Sequence, residues 1–376
     1  MRGPTDRIAL LFATSGHSGV DRVIANLLPE FGRSSYLFDL LVIGKHGPSV
    51  PLELPQNLRV LRLPVRTKKL VLPPLLTYLI RHRPRAILTA NHQLNRAALI
   101  ARYWLGQPPR VTIRMGMSLS ALGAEMSPRR RQRLFASMQR WYPRADAVIT
   151  PSEGVGQDII RLAGVSRERL HIIRNPIVNA TLLEQSRAPV EHCWFRDGEP
   201  PVILGVGSLE PRKDFATLLR AFAKLRADID CRLVILGDGS DRNALQELAR
   251  SLGIDDAFDL PGFATNPYRY MRRASVFALT SRREGASAVI VEALACGTPV
   301  VSTDCPSGPA EILGRLDAPA LAPVGDVNGI ANALLAILRN PPSPDALEAV
   351  VGDHKSERSA SAYLKAVLDS GDVAEA

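Results

Sequence analysis

Short, nearly uninterrupted apolar runs alternate with stretches whose apolar positions recur every three or four residues along most of this 376-residue chain. The runs predict strands buried on both faces, and the periodic stretches predict helices that cover them. Together they specify an α/β protein with parallel sheets. In the first half, Arg7-Ile-Ala-Leu-Leu-Phe-Ala reads as a buried strand. A loop Thr14-Ser-Gly-His-Ser-Gly-Val follows, then an amphipathic helix over 21–31. The pattern places further strands at 38–43, 58–61, 86–89, 110–113 and 147–150, and helices at 71–83, 93–105, 128–141 and 153–163. Residues 171–178 read as one more strand, closed by Asn175-Pro176.

The alternation lapses between about 179 and 201, where Pro189, Gly198 and the pair Pro200-Pro201 fall, and then restarts. Strands are expected at 201–206, 232–236, 258–260, 276–280 and 299–303, with helices at 215–226, 241–252 and 287–296. A chain of this length exceeds what one core usually holds. The predicted division is therefore a first domain over 1–185, a linker over 186–200, a second domain over 201–355, and a C-terminal helix in 356–376 that packs back on the first domain.

Composition narrows the setting. Hydrophobic residues make up 46% of the chain, but the apolar runs are too short to cross a bilayer, and no signal peptide is evident. Cys193, Cys231, Cys296 and Cys305 form no CxxC pair. A disulfide framework or thiolate metal site is not expected, and a reducing cytoplasm fits best. The net charge of +10 belongs to the first half: no Asp or Glu occurs between Glu53 and Glu125, where twelve Lys or Arg lie, and six more arginines follow by Arg144. Such a field favours phospholipid headgroups, diphosphate-linked acceptors or nucleic acid, or is a solvated basic surface. Aromatic residues are only 5% and no nucleic-acid module is recognisable, so nucleic acid is not expected as a partner.

Three loops of the second half carry chemistry. In parallel sheets, ligands bind beyond the carboxyl ends of the strands. Gly205-Val-Gly-Ser-Leu-Glu-Pro-Arg-Lys-Asp-Phe sets Arg212 and Lys213 just before a helix N-terminus, which suits a diphosphate; a plain surface pair reads the same. The glycines of Leu236-Gly-Asp-Gly-Ser-Asp-Arg either face a ligand or simply make a turn. In the third loop Glu284 is followed eight positions later by Glu292, on an otherwise apolar helix that ends at Gly297-Thr-Pro. A carboxylate there costs free energy if buried alone. It is either a surface residue of an amphipathic helix or an acceptor for ligand hydroxyls.

The segment from Glu284 to Glu292 resembles the E-x7-E signature of glycosyltransferase family 4, retaining enzymes of the GT-B fold. Gly205–Phe222 resembles the phosphate loop of that family, and Leu260-Pro-Gly-Phe its base-contacting turn. Thr303-Asp-Cys-Pro-Ser-Gly-Pro-Ala-Glu-Ile-Leu and Pro323-Val-Gly-Asp are similar to a subgroup tied to UDP-sugars and surface polysaccharides. Ser18-Gly-Val-Asp-Arg-Val resembles the first glycine-rich loop. Tyr142–Val155 and Ile173-Arg-Asn-Pro resemble the closing segment of the first domain. The resemblance covers nearly the whole chain in order. It implies two facing Rossmann-like domains with a cleft between them.

The resemblance also implies roles. Lys213, helped by Arg212, would bind the diphosphate and offset charge as the nucleoside diphosphate leaves; Glu284 would contact the donor sugar and Glu292 the ribose hydroxyls. The amides of Ala288 and Val289 would meet phosphate, Phe263 would lie by the base, and Gly19 would let the first loop approach donor and acceptor. No metal is implied, since no Asp-x-Asp stands in a suitable loop. The expected activity is transfer of a sugar, with retention, from a nucleotide diphosphate donor such as a UDP-sugar to a glycan or lipid-linked acceptor. The expected place is the inner face of a membrane, held there peripherally by 61–85 and Arg129–Arg133. A sugar-nucleotide epimerase, a phosphorylase of the same fold and a catalytically degenerate subunit are the competing readings.

Departures from the family pattern are informative. Ser208 stands where an arginine is usual, which shifts phosphate binding toward Arg212. Ala286 and Ser287 replace bulky and proline positions beside the sugar. Arg114-Met-Gly-Met-Ser holds no histidine where many relatives have one, which leaves His17 or His92 to approach from elsewhere and makes Arg114 a candidate contact for sugar or acceptor phosphate.

Overall fold

The computed structural model describes residues 5–12, 19–43, 54–106, 109–124, 126–284, 287–306 and 308–368. His17, Ser18, Ala286 and Ser307, all invoked above, lie outside the described residues. The described chain divides into two units, one ending at Pro176 and rejoined by the segment from Ser356, the other spanning Ile177–Lys355.

The first unit is built from β1 (Thr5–Leu11), α1 (Gly19–Gly32), β2 (Leu37–Ile43), β3 (Leu58–Leu63), α2 (Leu72–His82), β4 (Pro84–Ala90), α3 (His92–Leu105), β5 (Arg110–Arg114), α4 (Leu119–Ala124), α5 (Pro128–Trp141), β6 (Ala147–Thr150), α6 (Glu153–Ala163) and β7 (Leu170–Ile172). Among the described residues its sheet has seven strands, all parallel, in the order β3-β2-β1-β4-β5-β6-β7. Central β2 is buried from Phe38 to Ile43, as an apolar run covered on both faces must be, whereas edge strand β3 exposes Arg59 and Val60. Helix ends follow local chemistry. Ser152 caps α6 by accepting from the Val155 amide, and Gly164 leaves it in the left-handed region.

The second unit comprises α7 (Ala180–Ser186), β8 (Val202–Val206), α8 (Phe215–Leu225), β9 (Arg232–Leu236), α9 (Arg242–Ser251), β10 (Phe258–Gly262), α10 (Tyr268–Arg273), β11 (Val276–Leu279), α11 (Ala288–Ala295), β12 (Val300–Thr303), α12 (Pro309–Leu313), β13 (Leu321–Ala322), α13 (Val327–Arg339) and α14 (Pro344–Val351); α15 (Ser356–Leu368) follows. Its parallel sheet runs β10-β9-β8-β11-β12-β13. The order reverses between β8 and β11, which sets a crevice at the carboxyl ends of these two strands, bordered by the loops that leave them.

The structure differs from the expected organisation in three places. The segment 186–200 is packed rather than loose. Phe195 is buried with Ile177, Val178 and Leu182 in a core layer of the second unit, and Val190 and Trp194 lie against it. The division between units accordingly falls after Pro176, not at 185. The strand expected over 171–178 stops at Ile172, because Asn175-Pro176 ends strand pairing and the chain turns into the second unit.

Helix α15 belongs to the first unit. Ala360, Tyr363, Ala366, Val367 and Leu368 are buried with Ile8, Leu10 and Phe38. Arg114, buried at the end of β5, donates from Nε to the Tyr363 hydroxyl at 2.8 Å and from Nη2 to Asn175 Oδ1 at 2.8 Å. These bonds give Arg114 a place in the interior of this unit.

Candidate functional site

The loops after β8 and β11 meet at the crevice of the second sheet. Lys213 Nζ lies 2.7 Å from Glu284 Oε1, and both side chains are only 10% exposed. Arg212 Nη1 stands 3.7 Å from the same oxygen and donates to the Arg283 carbonyl at 3.2 Å. Three residues from the two strongest sequence motifs, 71 positions apart in the chain, therefore come together. Ser281 Oγ, fully buried, also donates to Glu284 Oε1, at 2.6 Å.

Further bonds stitch the two loops. The Arg282 amide donates to the Arg212 carbonyl at 2.9 Å, and Arg282 Nε to Asp214 Oδ2 at 3.1 Å. Thr280 Oγ1 donates to the Asp214 carbonyl at 3.0 Å. Both loops enter their helices through a non-glycine residue in the left-handed region, Asp214 (φ 49°) before α8 and Ser287 (φ 45°) before α11. Such conformations cost on the order of 1 kcal/mol each and persist where surrounding bonds enforce them. Each stands immediately before a helix N-terminus, whose free amides carry the positive end of the helix dipole.

The loop after β9 supports this arrangement from beneath. Gly207 N donates to Leu236 O at 3.0 Å and Leu209 N to Asp238 O at 2.9 Å. A Cβ on Gly237 (φ 152°) would lie 1.8 Å from the Gly207 carbonyl oxygen, and one on Gly239 (φ 158°) 2.4 Å from that of Leu209. The glycines of Leu236-Gly-Asp-Gly-Ser-Asp-Arg are thus required where two loop backbones touch. Gly237 N in turn donates to Gly262 O at 2.9 Å, which ties in the turn carrying Phe263, whose side chain is 78% exposed.

Glu292 is 7% exposed on the otherwise apolar α11, about one turn below its start, so the surface reading of this residue is excluded. Ala288 and Val289 form the first turn of α11 and are partly exposed. Ser208 lies in the β8 loop, where its carbonyl accepts from the Glu210 amide at 2.9 Å. Cys305 is buried after β12; burial pushes its thiol up, and the Glu284 charge adds to the effect. Among the described residues no three His, Cys, Asp or Glu side chains gather as a metal would require.

In the first unit Gly19 opens α1, and among the described residues a Cβ there would meet nothing within 4 Å. His92 opens α3, its Nδ1 3.1 Å from the buried Tyr142 hydroxyl. Burial, with the charge of Arg96, pulls its imidazole down to about 4. Sequence reasoning did not single out Ser281, Asp214, Arg282 or Thr303. Ser281 and Arg282 stand just before the E-x7-E segment, Asp214 and Thr303 lie inside the two other segments quoted, and nothing in their spacing distinguishes them from solvent-facing residues.

Residues 18–176 match the family described as "Glycosyl transferase 4-like domain", and residues 193–350 match "Glycosyl transferases group 1". With these two matches in series over two parallel α/β units, the chain belongs to the family-4 type of glycosyltransferases with the GT-B fold. It is 34% identical over 199 residues to the N-acetylgalactosamine-N,N'-diacetylbacillosaminyl-diphospho-undecaprenol 4-alpha-N-acetylgalactosaminyltransferase of Campylobacter jejuni, covering 53% of this chain and 52% of that protein. Over 201 residues it is 31% identical to the lipopolysaccharide 1,6-galactosyltransferase of Escherichia coli K12, covering 50% and 52%. The chain thus spans about half the length of the curated relatives it matches. Among solved structures, the lipopolysaccharide outer core galactosyltransferase WaaB superposes with a TM-score of 0.74 at 20% identity, over 96% of this chain and 98% of WaaB.

Proposed function

We propose that this protein transfers a sugar, with retention at the anomeric carbon, from a UDP-sugar to a glycan or lipid-linked acceptor in cell-surface polysaccharide synthesis. The observation that carries the reading is the Lys213–Glu284 pair at the switch point of the second sheet, 2.7 Å long and flanked by Arg212. A diphosphate placed against Lys213, Arg212 and the opening amides of α8 and α11 meets fixed positive charge from three sides. The same groups offset the charge that develops as UDP departs. Glu284 is then within reach of the sugar, and the buried Glu292 accepts from the ribose hydroxyls. The turn at Gly262-Phe263 borders the base. Because cations and helix amides hold the diphosphate, we propose transfer without a metal, so that a chelator leaves the rate unchanged.

The names of the curated relatives support a surface-glycan role and hexosyl donors. Peripheral docking on the inner face of an anionic membrane is part of the proposal. It rests on the exposed arginines Arg129–Arg131 and Arg133 of α5 and on exposed Leu70, Ile80, Tyr103 and Trp104, a mixture suited to a headgroup layer. Among the described residues no helix is long and apolar enough to cross a membrane.

The test is a panel of UDP-sugars incubated with undecaprenyl-diphosphate-linked and lipopolysaccharide-core acceptors and read by mass spectrometry, beside calorimetry with UDP. Transfer from one donor together with UDP binding is expected; absence of both would overturn the reading. Flotation with anionic and neutral vesicles tests docking, and indifference to lipid charge and salt would remove the membrane part.

A further inference from the structure

We infer that Ser281 is the positioning residue for Glu284, holding its carboxylate in register once a diphosphate engages Lys213. The inference rests on the proposed function, since it assigns Glu284 to the donor sugar. It starts from a shared acceptor: Glu284 Oε1 accepts from Lys213 Nζ at 2.7 Å and from Ser281 Oγ at 2.6 Å. These two donors are unequal in what they can do next. Lys213 sits on the β8 loop at the end of a flexible stem, and a diphosphate competes for its ammonium with more charge than one carboxylate carries. Among the described residues Ser281 donates from its hydroxyl to Glu284 alone. It is fully buried at the end of β11, and its own backbone is anchored from the neighbouring strand, because Thr303 Oγ1 donates to the Ser281 carbonyl at 2.6 Å.

The chain of contacts is therefore β12 to Ser281 backbone to Ser281 hydroxyl to Glu284. A glutamate side chain has three rotatable bonds, and a catalytic geometry tolerates little drift. With Lys213 drawn to phosphate, the Ser281 hydroxyl keeps Oε1 pinned on the strand side and leaves Oε2 for a sugar hydroxyl. Lys213 can then move without taking Glu284 with it. Ser281 acts only through Glu284 and touches no substrate.

The experiment uses the full chain and variants Ser281→Ala, Ser281→Cys and Ser281→Thr, each alone and the first also with Glu284→Gln. Calorimetry with UDP on the unaltered protein decides the nucleotide reading by itself. For Ser281→Ala and Ser281→Cys we expect kcat for UDP-sugar turnover to fall by about ten- to hundredfold, with the UDP Kd within about twofold. Cysteine keeps the volume but donates poorly, so a loss there cannot be a cavity effect. Ser281→Thr should recover most of the rate, and Ser281→Ala should cost nothing more in the Glu284→Gln background. Unchanged kcat in Ser281→Ala, or a further loss in that background, overturns the inference. If the unaltered protein binds no UDP and turns over no donor, the donor reading falls. Ser281 is then judged on the unfolding of the protein alone, where coupled losses for Ser281→Ala and Glu284→Gln sustain its hold on Glu284 and additive losses overturn it.

Discussion

Lys213 and Glu284 share a 2.7 Å ion pair across the point where the strand order of the second sheet reverses, and each side chain is nine-tenths buried. A nucleotide diphosphate that binds Lys213 competes with Glu284 for its ammonium. The cation assigned to phosphate and the carboxylate assigned to sugar are thus coupled before any donor arrives. Replacing Lys213 by Ala removes a charged donor and leaves Glu284 with Ser281 and the more distant Arg212. We expect UDP affinity to drop by about 1.5–3 kcal/mol in calorimetry. An unchanged affinity would dispose of the site assignment.

Glu284→Gln should separate the two roles. The amide cannot neutralise Lys213 or repel phosphate, so UDP should bind tighter by about 1 kcal/mol, while transfer falls about a hundredfold through loss of the sugar contact. Calorimetry and initial rates on the same preparation check both signs. Weaker UDP binding would show that the pair assists the diphosphate rather than competing with it.

Gly237→Ala places a Cβ 1.8 Å from the Gly207 carbonyl oxygen. Backbone on both sides must shift, since neither contact is a flexible side chain. The second unit should lose about 3 kcal/mol or more, seen in denaturant unfolding followed through Trp194, and UDP binding should vanish with it. Ala at Gly19, where a Cβ meets nothing among the described residues, should leave stability within about 0.5 kcal/mol.

Tyr363→Phe tests the tie between α15 and β5. It removes the acceptor of the Arg114 Nε bond while keeping the ring, so the guanidinium stays buried with one partner fewer. We expect a loss of about 1.5–3 kcal/mol from the first unit, reported by Trp104 and Trp141, with UDP affinity of the second unit unchanged.

His92 makes the first unit sensitive to acid. Burial, reinforced by Arg96, lowers its folded pKa to about 4, below the ordinary value of 6.5. The unfolded chain therefore takes up the proton first. The contribution of His92 to stability is complete above pH 6.5 and is lost as pH falls from 6.5 through 4. Partial exposure and screening reduce it to about 2 kcal/mol. Urea titrations at pH 7 and pH 4.5 should show this loss, and His92→Gln should flatten it.

Much of the architecture was legible in the chain. The apolar runs at 38–43 and 232–236 became strands over nearly those residues, because continuous burial leaves a short run little alternative. Helix α13 was equally readable, with Asp326 capping it and Ile330, Ala331, Leu334 and Ile337 facing inward, yet the sequence reading passed over it. The linker expected at 186–200 was misread because Pro and Gly interrupt periodicity without preventing packing; Phe195 is buried all the same.

The sequence likewise set where the candidate residues fall in the fold. Residue type and order bring Lys213, Arg212, Glu284 and Glu292 to loops and a helix start that follow parallel strands, and order alone places those loops at carboxyl ends. Tertiary structure decided the rest. It paired Lys213 with Glu284, drew Ser281 and Thr303 in behind them, fitted Gly237 against Gly207, and turned Arg114 inward to Tyr363. Each of these depends on which strands become neighbours and on what a side chain meets there. A linear pattern constrains that only through its periodicity, and periodicity says which face is buried, not which atoms touch.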